Sequence, residues 1–117
     1  MSEMTEERMV LCGANAYEQK YYYNREKFDS LPKELQDELH VICVLYTEEV
    51  GGIITFEFEE DGSVYINTMA DENDFDYDEI HAGLLLTQIK STRRDMLQFL
   101  SLYYRKVILG EEMEDME

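Results

Sequence analysis

The chain has no lysine or arginine between Lys33 and Lys90. These 56 residues, 34–89, contain fifteen Asp or Glu and so carry about −15 of the formal net charge of −17. A protein that grips nucleic-acid phosphates, or an anionic membrane surface, needs clustered positive charge. The missing basic residues therefore argue against both partners. They leave a basic protein partner, a metal cation or mere solubility as explanations of the acidity.

Cysteines and long apolar runs are also scarce. Cys12 and Cys43 are the two cysteines of the chain, and their spacing does not suggest a disulfide framework. The longest apolar run, Val41 to Tyr46, is far too short to span a bilayer, and the acidic first residues lack the apolar core of a secretory signal. We therefore expect a cytoplasmic protein with reduced thiols, in which Cys43 is a core residue.

Motifs of catalysis and cofactor binding are missing as well. The sequence contains no P-loop, GxGxxG, GxSxG, CxxC or HExxH. We accordingly predict no catalytic residues, no cofactor and no enzyme activity.

The length of 117 residues predicts one domain. We place it at residues 10–109, between a flexible N-terminus, 1–9, and a disordered acidic tail, 110–117. In the first segment, Tyr17 and Tyr21 stand at i,i+4 as in a helix, although the run Tyr21 to Tyr23 suits a strand equally well.

A helix over roughly residues 32–49 is the first strong element. Leu31, Leu35, Leu39 and Ile42 fall on one helical face, Pro32 suits a first turn, and Gly51 follows as a C-cap. The competing interpretation is a shorter helix followed by a buried strand at 40–47, which the β-branched residues there support.

A β-hairpin follows. A three-residue loop with Gly62 in a left-handed conformation would pair Phe58 with Val64 and Phe56 with Ile66, giving one apolar face.

The last element is predicted as one long helix over 77–109. Asp76 as N-cap, Glu79 three residues later, and Phe75 with Ile80 as a hydrophobic staple mark its start. Such a helix would be roughly 50 Å long. It would either break in the polar stretch 90–95 or pack against a second copy, and because a lone hairpin is marginal in water we expect a homodimer.

The predicted fold class is thus α+β: a helical N-terminal segment, a helix, a β-hairpin or a three-stranded antiparallel sheet, and a long C-terminal helix.

An acidic loop before the last helix is the candidate metal site. Its carboxylates are Asp71, Asp74, Asp76, Asp78 and Glu79. Calcium prefers several oxygen ligands from a flexible loop, but the EF-hand spacing is not met. The competing interpretation is a helix N-terminus whose dipole favours negative charge. A repeated tetrapeptide, at 37–40 and 78–81, has the carboxylate and histidine spacing of a di-metal site. Asp37 and His40 face away from the apolar stripe of their helix, however, and the two further inward glutamates of such a site are missing.

A candidate partner-binding surface combines acids of the hairpin with acids of the loop: Glu57, Glu59, Asp61, Asp71, Glu72 and Asp74. A basic stripe of Lys90, Arg94 and Arg105 is interpreted as the complement of acids in the same chain or in a dimer mate.

Three segments, LCGANAYEQKYYYN (11–24), CVLYTEEVGGI (43–53) and ADENDFDYDEI (70–80), resemble a family of short, acidic, uncharacterised proteins. The family is found in clostridial-type Gram-positive bacteria, and the resemblance covers roughly residues 10–109. It implies a bacterial, cytoplasmic context. It implies no activity, ligand or site residue, since the family has none assigned.

The leading hypothesis is a small cytosolic interaction module that binds a basic partner. A specific version is a mimic of nucleic-acid charge or an immunity-type inhibitor. The alternatives are a divalent-cation-binding protein that uses loop 71–79, and a structural domain that is acidic only for solubility.

Overall fold

A four-stranded antiparallel sheet with helices defines the structure. A computed structural model describes residues 8–108 and 110. Its elements are β1 Met9–Asn15, β2 Lys20–Tyr23, α1 Arg25–Phe28, α2 Lys33–Val50, β3 Ile53–Phe58, β4 Val64–Met69, α3 Glu79–Thr92, α4 Arg94–Tyr103 and a π-helical turn, Tyr104–Ile108. The strands lie in the order β2-β1-β3-β4. Most of the predicted flexible N-terminus and acidic tail lies outside the described residues.

The core lies between one face of the sheet and the helices. Cys12 pairs with Phe56, which in turn pairs with Ile66, so one row of apolar side chains crosses three strands. Helix α2 packs on this face and buries Leu39 and Tyr46 almost completely. Because side chains alternate along a strand, the neighbouring row carries polar residues on the opposite face.

The predicted helical N-terminal segment is wrong. Residues 9–15 and 20–23 form the hairpin of β1 and β2, and β1 then pairs with β3. The alternation of the tyrosine run explains β2: Tyr21 lies on the core side, stacked on the His40 ring at 4.0 Å, and Tyr23 packs on Phe28. The sheet consequently has four strands, one more than the larger predicted sheet.

The predicted long C-terminal helix is also wrong. Helix α3 has 14 residues and ends at Thr92, and Arg93 leaves the helical conformation at φ −113° and ψ 30° before α4 begins. The break falls in the polar stretch where the sequence allowed one. It lets Met96 and Leu100 of α4 turn into the core instead of projecting.

The start of α3 differs from the prediction. Asp78, not Asp76, is the N-cap, and its Oδ1 accepts hydrogen bonds from the backbone N–H groups of Ile80 and His81. The predicted staple is not formed, since Phe75 is 90% exposed and Ile80 is 77% exposed.

Helix α2 and the β3–β4 hairpin agree with the sequence. Helix α2 runs without a break to Val50, which excludes the alternative strand at 40–47. Phe58 pairs with Val64 and Phe56 with Ile66, and Gly62 has a left-handed φ of 94°. The expected register and loop are therefore confirmed.

The turn from α2 to β3 gives a stability prediction. Gly51 and Gly52 both have positive φ, but a Cβ on Gly51 would meet open space, whereas one on Gly52 would lie 2.6 Å from the Met69 carbonyl oxygen. Gly51→Ala should cost the strain alone, about 1–3 kcal/mol. Gly52→Ala should lose about 1–3 kcal/mol more, because backbone must move. Urea unfolding of both variants measures the difference, and equal losses would contradict it.

Candidate partner-binding surface

Three connections meet at one end of the sheet. They are the β1–β2 turn, the α2–β3 turn and the loop from β4 to α3. The Ala16 N–H donates to the Gly52 carbonyl at 2.8 Å, which joins the first two. The Tyr17 hydroxyl joins the first to the third. Segments that are distant in the sequence therefore form one continuous surface.

Tyr17 holds the β4–α3 loop. Its hydroxyl donates to Asp74 Oδ2 at 2.7 Å and accepts from the Asp71 N–H at 2.9 Å. The Asp71 N–H lowers the pKa of Tyr17, but the hydrogen bond to Asp74 and the nearby negative charges raise it, and the net direction is upward. The phenol thus stays protonated as the donor that Asp74 needs.

Tyr77 fastens the same loop to α2. Its hydroxyl lies 2.9 Å from that of Tyr46, and its ring lies against Gly52. Burial, followed by this hydrogen bond, raises the pKa of Tyr46, so its hydroxyl remains neutral. The loop is therefore held at both ends of its acidic stretch.

The surface formed in this way is strongly acidic, and we call it the acidic end. Its carboxylates are those of Glu18, Glu48, Glu49, Asp71, Glu72, Asp74, Asp76, Asp78 and Glu79. In the three connecting segments, 15–20, 47–53 and 69–81, Lys20 is the one lysine or arginine, and it pairs with Glu18 at 3.6 Å. Most of this negative charge is left without a basic neighbour.

The end of α2 contributes charge where a helix disfavours it. Glu48 and Glu49 lie in the last turn of α2, which has no basic residue. Acidic side chains at a helix C-terminus oppose the macrodipole. Glu49 contacts His81, whose Nε2 lies 3.0 Å from its carboxylate. Such violations of local preference are commonest at functional sites.

An aromatic ring stands exposed in the acidic end. Phe75 is 90% exposed, between Asp74 and Asp76. A cleft of about 460 Å³ lies at the same end of the molecule, between the β1–β2 turn and α2, with Lys20 and Glu48 among its lining residues. Charge, an aromatic side chain and a concave surface thus occur at one end of the molecule.

The structure separates the six predicted partner-binding residues into two groups. Asp71, Glu72 and Asp74 lie in the acidic end, whereas Glu59 and Asp61 lie at the β3–β4 turn, the other end of these strands. Five residue steps of β4 separate the two ends by roughly 17 Å.

The hairpin acids are already engaged locally. Glu59 pairs with Arg8 at 3.3 Å, and Asp61 accepts the Ser63 N–H, which lowers the pKa of its carboxyl. Glu57 is buried on the polar face of β3 and accepts a 2.6 Å hydrogen bond from Thr55. Sequence reasoning missed Glu18, Glu48 and Glu49, although the acidic last turn of α2 was a visible signal.

The predicted metal ligands do not converge. Asp78 caps α3 and Asp74 bonds to Tyr17, and across residues 8–108 and 110 no group of three or more His, Cys, Asp or Glu side chains could hold a metal ion. In the repeated tetrapeptides, Asp37 pairs with Lys33, while His81 pairs with Glu49.

The two cysteines are buried and free. A hydrogen bond with Cys12, followed by burial, raises the pKa of the Cys43 thiol. A protonated, enclosed thiol is a poor nucleophile, which agrees with the prediction that Cys43 is a core residue.

A model of a protein family matches residues 8–112, and it is described as a family of unknown function, DUF6145. The chain belongs to this family. The match confirms the part of the predicted resemblance that concerns a family without assigned function. Its bacterial source and cytoplasmic location stay predictions. No curated protein and no solved structure matches the chain significantly.

Within the described part of the chain, no helix has both the length and the apolar composition needed to cross a membrane.

Tyr17 yields a prediction for the acidic end. Tyr17→Phe removes both hydrogen bonds of the hydroxyl, so the Asp71 amide hydrogen should exchange with solvent faster. Tyr23→Phe is the control, since Tyr23 is similarly exposed and its hydroxyl has no hydrogen-bond partner among the described residues. Amide exchange followed by NMR measures both variants. Unchanged exchange at Asp71 would show that Tyr17 does not hold the loop.

Proposed function

We propose that this chain is a small protein-interaction module whose acidic end binds a basic segment of a partner protein. The observation that supports this most is the surface of nine carboxylates with one lysine, whose β4–α3 loop also carries the 90% exposed Phe75 ring. The cytoplasmic setting expected from the sequence belongs to the same proposal.

Uncompensated charge supports electrostatic recognition. Like charges held close together lower the stability of the folded protein. A surface that keeps them therefore indicates a role in binding rather than in folding. A partner rich in lysine and arginine would relieve the repulsion and would be steered towards this end. The opposite end of the molecule does not offer this field, because Arg8, Arg25, Lys27 and Arg105 lie there among its acids.

Phe75 supports a defined contact in addition to charge. Interfaces gain most of their binding energy from a few anchors, often aromatic, that enter a pocket while polar residues surround them. Phe75 stands between Asp74 and Asp76, so its ring can enter an apolar pocket while the two carboxylates meet lysines at the rim. The partner is therefore expected to present apolar and basic side chains together.

A homodimer also remains a proposal. Its first reason, an unbroken last helix, no longer holds, because α3 ends at Thr92. Exposed apolar side chains of α3 support it instead: Ile80 is 77% exposed and Leu84 is 66% exposed.

Two labelled peptides of equal charge test the proposed function, an amphipathic Lys/Leu peptide and decalysine. Fluorescence anisotropy should show tighter binding of the amphipathic peptide, and both affinities should fall as salt is raised to about 0.15 M. Phe75→Ala should weaken the amphipathic peptide about tenfold or more and leave decalysine nearly unchanged. Phe99→Ala, which removes an exposed phenylalanine of α4, is the control and should change neither.

The contribution of charge is tested by neutralising Asp71, Glu72 and Asp76 together, to Asn, Gln and Asn. The binding of both peptides should weaken. The matched control neutralises Glu26, Glu34 and Glu60, which are exposed and lie outside the acidic end. Equal losses in the two triple variants would mean that net charge alone attracts the peptides, and absence of saturable binding at low salt would refute the proposed function.

The narrower hypothesis is that the protein mimics the charge of nucleic acid. It predicts that a DNA duplex competes with this protein for binding to a basic target. A calcium titration in the same assay tests the cation hypothesis.

A further inference from the structure

Helix α3 exposes two large apolar side chains on the side that faces away from the core. Its inner side buries Ala82 and Ile89. Its outer side presents Ile80, Leu84, Thr87 and Ser91, whose spacing of four, three and four residues places them in one row. All four are exposed, and Ile80 and Leu84 are large. Large apolar side chains exposed together in one row, with small hydroxyl residues continuing it, are typical of an interaction surface.

A glycine lies beside this outer row. Gly83 is exposed in the middle of α3, where glycine destabilises a helix more than any other residue except proline. A Cβ there would meet nothing within 4 Å in its own chain. The fold itself therefore gives no reason for glycine at this position, whereas a second helix that approaches closely would.

The charges beside the row are arranged for self-pairing. Glu79 lies at the first turn of α3 and Lys90 at the last, both on the flank that carries Gly83. Neither makes an ion pair with a described residue. When two copies of α3 lie antiparallel about a two-fold axis near Leu84, the same flanks face each other, and Glu79 of each copy lies opposite Lys90 of the other. The arrangement forms two equivalent ion pairs.

We propose that the outer row of α3 is a homodimer interface in which two α3 helices pack antiparallel, with Leu84 near the two-fold axis and reciprocal Glu79–Lys90 pairs at its ends. The occupant is a second copy of this chain because an isologous interface requires one patch that complements itself in shape and charge. The interface shares Glu79 with the acidic end but uses no residue of the loop 70–77, so a dimer would present two acidic ends to a partner.

Sedimentation equilibrium of the full chain over a range of concentrations tests the interface, with circular dichroism to confirm that each variant is folded. The wild type should show a reversible monomer–dimer equilibrium. Leu84→Asp should weaken it about tenfold or more, because a charge would be buried at the axis. Leu102→Asp, at an exposed leucine of α4, is the matched control and should leave it unchanged. A wild type that is monomeric at every concentration would overturn the proposal.

A charge swap distinguishes reciprocal pairing from a general loss of apolar contact. Glu79→Lys and Lys90→Glu should each weaken the dimer, because like charges then face each other. The double variant should regain most of the wild-type affinity, although both changes oppose the α3 dipole. Failure of the double variant to recover, while it stays folded, would refute the antiparallel geometry.

One further variant separates this interface from the acidic end. Glu72→Lys reverses a charge in the loop and should weaken the basic peptides while the dimer persists. If Glu72→Lys and Leu84→Asp each abolished both properties, the two surfaces would not be independent and the interface as placed here would be wrong.

Discussion

The pairing of β1 with β3 is the contact on which the rest of the structure depends. It joins the first strand of the chain to a strand some forty residues later, and it places Cys12 and Ala14 against Phe56 and Ile54 in the middle of the sheet. Without it, β2 would have no sheet to extend, α2 would lose its packing against β1, and the β1–β2 turn would not reach the β4–α3 loop. The acidic end is therefore a product of this pairing.

The sequence predicted well those features that arise from neighbouring residues. The register of the β3–β4 hairpin followed from the alternation of Phe56 and Phe58 with glutamates, and α2 followed from the spacing of its leucines and from Gly51. Both are decided within about twenty residues of chain. The N-terminal segment could not be assigned in this way, because the tyrosine spacing allowed helix or strand and the partner of β1 is remote in the sequence. The sequence likewise could not show whether Asp76 or Asp78 caps α3. That choice depends on contacts of the loop, since Tyr77 between them packs against Gly52 and Tyr46.

The candidate site was predicted in part for the same reason. Asp71, Glu72 and Asp74 are close in the sequence and lie in one loop of the structure, whereas Glu57, Glu59 and Asp61 lie apart from them. The structure instead combines the loop acids with Glu18, Glu48 and Glu49 from two other connections. The composition predicted that the surface is negatively charged, but which residues form it depends on the topology of the chain.

The insertion of β1 between β2 and β3 also constrains how the chain folds during synthesis. When β1 and β2 leave the ribosome, the strand that completes their sheet has not yet been made, and an isolated two-stranded hairpin is marginal in water. Helix α2 is made next, but the core closes only when β3 emerges and finds a strand made much earlier. Closing such a long loop costs entropy before contacts repay it, which slows the step. The tyrosine-rich hairpin of β1 and β2 remains without its third strand during that interval. The strong negative charge of the chain therefore has a second consequence, because nascent copies repel one another while their strand edges are still open.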